Sequence, residues 1–294
     1  MDDRIGEIVI STPMVKALFE DGSEKESHLP EMKYSKHFVC YIDLLGVRQG
    51  VEDIVQQRKI FTALNMYKKI KASYETNHNI RIGIMMDSKV ESKTELTLPY
   101  QCSFFSDCLV LSYKHDNPRR DFADLYCILC DINLLTYMFL RKGIFIRGGF
   151  SYGDLYHEGD VCFGRALADA VELEEDVAKH PRIAIAPNIF DPNSDEFPYK
   201  NMDVDLNGSA WRMFFNYKIG TDFSEEPHVQ FCDFLDDRLS SSVDGAIEIR
   251  NNIVKELLSP HPERIMEKYE WMKEYYNGTL GRAFQPNLSS ALEI

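Results

Sequence analysis

Two aspartates stand out by their surroundings. Asp43 lies near the end of the run HFVCYIDLLG, residues 37–46, and Asp107 sits between two short apolar runs in YQCSFFSDCLVLSY, residues 100–113. An ionised carboxylate among apolar side chains is costly unless a cation or metal ion faces it. Brought together, two such carboxylates suit Mg²⁺ or Mn²⁺, hard cations that take oxygen ligands and fill their octahedra with phosphate oxygens. The structural alternative pairs Asp43 with a core arginine such as Arg147 and makes Asp107 an ordinary turn residue. Each aspartate alone suits that alternative; the two together, on neighbouring strands, favour the metal.

The elements that must position them follow from the pattern of apolar residues. Residues 37–46 form a continuous apolar run closed by Gly46, the pattern of a buried central strand. Residues 51–74 carry Ile54, Ile60, Phe61, Leu64, Met66, Tyr67 and Ile70 at helical spacing, which predicts an amphipathic helix. Residues 77–99 read as an irregular insertion with a short strand near Ile80–Met85, and 100–113 as a hairpin turning at Ser106–Asp107. Next come an apolar helix over 121–141, a glycine-broken strand over 143–153, a helix over 164–180, and a strand over 182–187 stopped by Pro187. The order is β-α-β-β-α-β-α-β, an α+β fold of ferredoxin-like palm type whose first six elements match the ferredoxin-like order. In it the first strand and the hairpin are sheet neighbours. Residues 1–36 read as an N-terminal arm, 37–187 as the catalytic sheet domain, and 188–294 as a mainly helical C-terminal extension. That extension holds one strand in HVQFCDFL and helices over 243–258 and 262–277. Trp271, Tyr275 and Tyr276 are spaced as helix core, with a partner-contact surface as the alternative.

Composition narrows the function classes. With 47 acidic and 33 basic residues among 294, the net charge is −14. That charge argues against nonspecific nucleic-acid or anionic membrane partners, which need a basic footprint. No apolar run reaches membrane-span length and no signal peptide is visible, so a soluble cytoplasmic protein is expected. The seven cysteines are odd in number, and the Cys127–Cys130 pair lies inside an apolar helix pattern, so reduced core thiols are expected. No histidine spacing suggests zinc.

Four motifs in chain order resemble the class III nucleotidyl (adenylate/guanylate) cyclases. Tyr41-Ile-Asp-Leu-Leu-Gly46 is similar to their first metal-binding strand, and Phe105-Ser-Asp-Cys-Leu109 to their second metal-binding hairpin. Arg147-Gly-Gly-Phe-Ser-Tyr-Gly153 resembles a family strand, and the stretch Phe163–Glu174 the helix after it. Bacterial antiphage pyrimidine cyclases and minimal CRISPR-type palm polymerases are the nearest variants in flavour. The resemblance spans about residues 37–187 and implies two divalent ions on Asp43, Asp107 and the Leu44 carbonyl. It implies attack of a nucleoside triphosphate's 3′-hydroxyl on its own α-phosphate, releasing pyrophosphate. It also implies a homodimer with composite sites. Leu45, Gly46 and Val47 would offer backbone N–H groups to the phosphates, with Arg48 adding charge. Phe105, Ser106 and Gly164 fall in substrate-facing motifs. The chain departs from the family at three positions. The ribose-positioning asparagine falls on Ala168, the transition-state arginine on Glu172, and the base-reading lysine on Ser103. Arg147 and Arg165 are the candidate replacement cations. These departures keep open a noncatalytic cyclase-like module that binds a nucleotide or a protein partner.

Overall fold

The computed structural model describes residues 14–18, 24–28, 33–47, 54–76, 100–115, 123–200, 219–222, 228–235, 242–284 and 286–294. Two compact units divide the chain, Met1–Tyr34 and Ser35–Ile294. In the first, β1 (Met14–Leu18) pairs antiparallel with β2 (Glu24–His28).

The second unit is built around β3 (Ser35–Leu44), which is covered on both faces. Phe38, Cys40, Ile42 and Leu44 join a core cluster with Ala63 and Tyr67 of α1 (Ile54–Thr76). Leu125, Ile128, Leu129 and Phe139 of α2 (Ala123–Arg141) belong to the same cluster. Val39, on the opposite face, packs with Ala166 and Ala170 of α3 (Arg165–Glu172). Two-sided burial is why the strand reads as an unbroken apolar run and not as an alternation.

The sheet order is β4-β5-β3-β6-β8-β10-β9, from β4 (Tyr100–Phe105), β5 (Cys108–Lys114), β6 (Ile146–Glu158), β8 (Ile183–Ile185), β9 (Ile219–Asp222) and β10 (Val229–Cys232). A short β7 (Val161–Phe163) pairs with β6 outside this path. The β6–β8 pair is parallel and the other neighbours are antiparallel. The fold is therefore α+β, with the palm-type element order expected from the sequence. The short strand suggested near Ile80–Met85 lies outside the described residues.

Two local features differ from the sequence pattern. The helix expected over 164–180 ends as α3 at Glu172 and continues as one π turn, Leu173–Val177. Close approach explains the packing of α3: a Cβ at Gly149 would lie 2.0 Å from the Ala170 carbonyl oxygen. Past Pro187 the chain extends the same sheet with β9 and β10, and β9 was not foreseen. It then forms α4 (Val243–Leu257), α5 (Glu263–Ala283) and α6 (Pro286–Leu292), the last also unforeseen.

The C-terminal helices have a core of their own, in which Met272, Tyr276 and Leu280 pack with Tyr137, Phe145, Phe234 and Ile249. Tyr276 is fully buried and donates to the Ala246 carbonyl, and Tyr275 donates to Asp233 Oδ1. Trp271 Nε1 donates to Asp222 Oδ2 at 2.9 Å. Tyr276 is thus core, and Trp271 and Tyr275 pack part-buried against it. Asp222 also receives Arg182, a fully buried arginine, at 2.6 Å. Removing one member of a buried ion pair strands the other in low dielectric. Arg182→Met is expected to cost about 3–5 kcal/mol of unfolding free energy in urea titrations; a loss under about 1 kcal/mol would contradict this role for Arg182.

Candidate active site

The hairpin turn between β4 and β5 consists of Ser106 and Asp107, with Ser106 in the left-handed region at φ 53°. Cys108 is the cross-strand partner of Asp43. The residue before it, Asp107, thus hangs just past the last paired position, beside the Asp43 carboxylate. One carboxylate oxygen from each aspartate and Cys108 Sγ all lie within 4.8 Å of one another. Two carboxylates with room between them suit a hard divalent cation such as Mg²⁺ or Mn²⁺. The thiol fits such an ion less well and is engaged elsewhere: Cys108 Sγ lies 2.8 Å from Tyr41 Oη and 3.7 Å from Asp43 Oδ1.

The electrostatics describe a site short of positive charge. Burial raises the Asp43 pKa above the usual carboxylate range, the Asp107 carboxylate raises it further, and Arg147 opposes both. Burial likewise raises Cys108, to about 11. Arg147 is the cross-strand partner of Asp43 on β6, and its Nε lies 3.7 Å from Asp43 Oδ2. The same guanidinium pairs with Glu174, which the π turn directs inward from the end of α3. The structural alternative for Asp43 is thus realised alongside the carboxylate pair, since Arg147 serves two acids at once.

These groups line one side of an open cleft of about 1150 Å³. The Leu44–Val47 turn forms its floor, and Gly46 takes a left-handed φ of 84°. The Leu45 N–H is committed to the Phe145 carbonyl at 2.9 Å. The end of α4 and the start of α5 also line it, with Glu256, His261, Arg264 and Lys268. Glu256 is tied to Lys59 of α1 at 2.6 Å and to His261 Nε2 at 3.1 Å.

Of the residues singled out from sequence, Asp43, Leu44, Leu45, Gly46, Val47, Ser106, Asp107 and Arg147 line this cleft. Others lie outside it. Ser103 is fully buried, with Oγ 2.8 Å from His157 Nε2 and donating to the Gly159 carbonyl at 2.9 Å. Phe105 points to solvent, 48% exposed. Gly164 is packed against the Asp154–Leu155 backbone ahead of α3. Arg165 is exposed and pairs with Asp169 at 2.7 Å, so its charge is spent along its own helix. Ala168 and Glu172 are exposed on α3. The reason is common to the helix: α3 lies across β6 and β3, and only its continuation, Glu174 and Glu175, reaches the cleft. Arg48 lies outside the described residues. Sequence reasoning assigned no role to Cys108, Glu174, Arg264 or Lys268. The register of Asp43 with the hairpin could have pointed to Cys108; nothing local could have brought in α5.

No family model matches the sequence, and neither does any curated protein. Among solved structures, the adenylyl cyclase CyaB from P. aeruginosa is similar at a TM-score of 0.37 and 14% identity, over 68% of this chain and 94% of that one. A bacterial light-regulated adenylyl cyclase is similar at 0.35 and 10%, over 68% and 89%. No helix among the described residues is long and apolar enough to cross a membrane.

Burial raises Glu174 to about 7, against the opposing pull of Arg147. For an acid whose pKa rises on folding, the contribution to stability is complete below the unfolded value and is lost as pH climbs through the folded one. Between pH 5 and pH 8 in chelator-containing buffer, Glu174→Gln should therefore gain on the wild type, by on the order of 2 kcal/mol. Paired thermal melts across that range would show it; a gap that stays constant with pH would contradict the assigned environment.

Proposed function

We propose that the protein is a divalent-metal-dependent nucleotide cyclase that converts a nucleoside triphosphate to a cyclic nucleotide and pyrophosphate. The observation that carries this reading is the placement of the Asp43 and Asp107 carboxylates, with ligand oxygens within 4.8 Å, at the floor of a nucleotide-sized cleft. In the reaction the 3′-hydroxyl gives up its proton to solvent, the O3′–Pα bond forms, the bond from Pα to the bridging oxygen breaks, and pyrophosphate leaves with that oxygen.

Asp43 and Asp107 would hold Mg²⁺ or Mn²⁺, one ion or two, with the Leu44 carbonyl as a further candidate ligand. A divalent ion there supplies a lowered hydroxyl pKa and neutralises charge on the leaving group. Arg147 holds Asp43 in place from the neighbouring strand and offsets part of the negative charge around the reacting phosphate. With the Leu45 N–H taken by the Phe145 carbonyl, Gly46 and Val47 are the turn residues that would present backbone to the phosphates. A homodimer with composite sites would bring a second copy's α3 to this cleft; light scattering over a range of protein concentrations tests it. A place in antiphage signalling rests on the sequence resemblance alone.

A noncatalytic nucleotide-binding module is the second reading. Ala168 and Glu172 favour it, because α3 offers no cation to a reacting phosphate at those positions.

The test is incubation with each of the four ribonucleoside triphosphates and Mn²⁺, with pyrophosphate release measured and products identified. Turnover is expected with at least one, and Asp43→Asn and Asp107→Asn should each lower it by about 10²-fold or more. Both substitutions preserve shape, so melting temperature serves as the folding control. Turnover that survives both changes, or none with any nucleotide, overturns the cyclase reading; metal-dependent binding without turnover selects the second.

A further inference from the structure

The C-terminal helices line the same cleft as the carboxylates, and the basic residues that line it near them divide into two groups. Lys59 is already neutralised by Glu256, which His261 also contacts. Arg264 and Lys268 differ: they stand one turn apart on the same face of α5, both line the cleft, and neither makes an ion pair among the described residues. We infer that Arg264 and Lys268 form the polyphosphate-binding subsite of this cleft, gripping the β- and γ-phosphates of a nucleoside triphosphate whose metal ion sits on Asp43 and Asp107. The site is then closed by the chain's own C-terminal helices. This rests on the proposed triphosphate substrate and names where its charge is met.

Three features support it. Lys268 is only part-exposed, and burial lowers its pKa, with Arg147 and Arg264 pushing the same way while Glu174 and Asp43 oppose. Arg147 is held by Asp43 and Glu174, so Arg264 and Lys268 are the two neighbouring cations here whose mutual repulsion an anion would relieve. The first turn of α5 also faces the cleft through Pro262, Arg264 and Ile265, so the positive end of a 21-residue helix adds to the field. Finally, a metal ion on Asp43 and Asp107 would offset only part of a triphosphate's charge, and Arg264 and Lys268 line the same cleft to meet the remainder.

The experiment measures binding of inorganic tripolyphosphate by calorimetry with Mn²⁺ present, separately from turnover of nucleoside triphosphates. Arg264→Gln and Lys268→Gln are each expected to weaken binding about tenfold or more, the size of a lost charge-assisted hydrogen bond. Lys268→Arg should retain most of it. Glu267→Gln, exposed on the same helix and outside the cleft lining, should bind at least as well as the wild type. The salt dependence of binding should flatten in the two weakened variants, which loss of a merely structural role would not produce. Melting temperatures report whether each variant remains folded. Wild-type protein that binds no tripolyphosphate, or binding unchanged in both glutamine variants, overturns the inference even if turnover is observed. Binding lost in those variants, in a protein that turns over no nucleotide, sustains the subsite and sinks the cyclase reading instead.

Discussion

Two half-buried carboxylates, one on a strand and one in the neighbouring hairpin turn, held with their oxygens within 4.8 Å of each other, repel one another and give up hydration besides. Most of the architecture around them can be understood as what keeps that arrangement in place. The β3–β5 register sets Cys108 opposite Asp43 and so leaves Asp107 beyond the last pair. The β3–β6 register sets Arg147 opposite Asp43 from the other side. The π turn after α3 then supplies Glu174 to fix that guanidinium. Each contact opposes displacement of the acids, and none fully cancels their charge. The raised pKa of Asp43 expresses the remainder.

The backbone makes this geometry rigid. Because β3 is buried on both faces, a slip by one residue would exchange Val39 and Tyr41 with Cys40 and Ile42 and would turn Asp43 into the α1–α2 core. The small residues Gly149, Ala166 and Ala170 let α3 lie directly on the sheet, which fixes where its continuation can place Glu174. A larger side chain at Gly149 would meet the Ala170 carbonyl and shift the whole helix.

Much of this was legible in the sequence because its causes are local. A continuous apolar run marks a strand buried on both faces, and apolar residues flanking Ser106–Asp107 mark a hairpin whose tip carries a carboxylate. The convergence of Asp43 and Asp107 followed from the element order alone. What escaped was non-local. Nothing in Ala168 or Glu172 reveals that α3 stops short of the cleft and that a π turn continues past it. Ser103, a reasonable site residue by position in its motif, is turned to His157 by a contact from a distant strand. Arg264 and Lys268 look like two charges on a solvated helix face; only the packing of Tyr269, Met272 and Tyr276 against Phe145 and Phe234 turns that face toward the aspartates.

The two sides of the cleft come from opposite ends of the sheet unit, Asp43 near its start and Lys268 near its finish. Synthesis runs from the N-terminus, and domains fold as units while the chain emerges. The acidic side is therefore made early and must wait, through nearly the entire chain, for the basic side. Until α5 has emerged and docked through Trp271 onto Asp222, a ribosome-bound chain can present carboxylates to metal ions but lacks Arg264 and Lys268. The lining of this cleft is thus finished only after α5 has been made, so the order of synthesis is also the order in which its charges arrive.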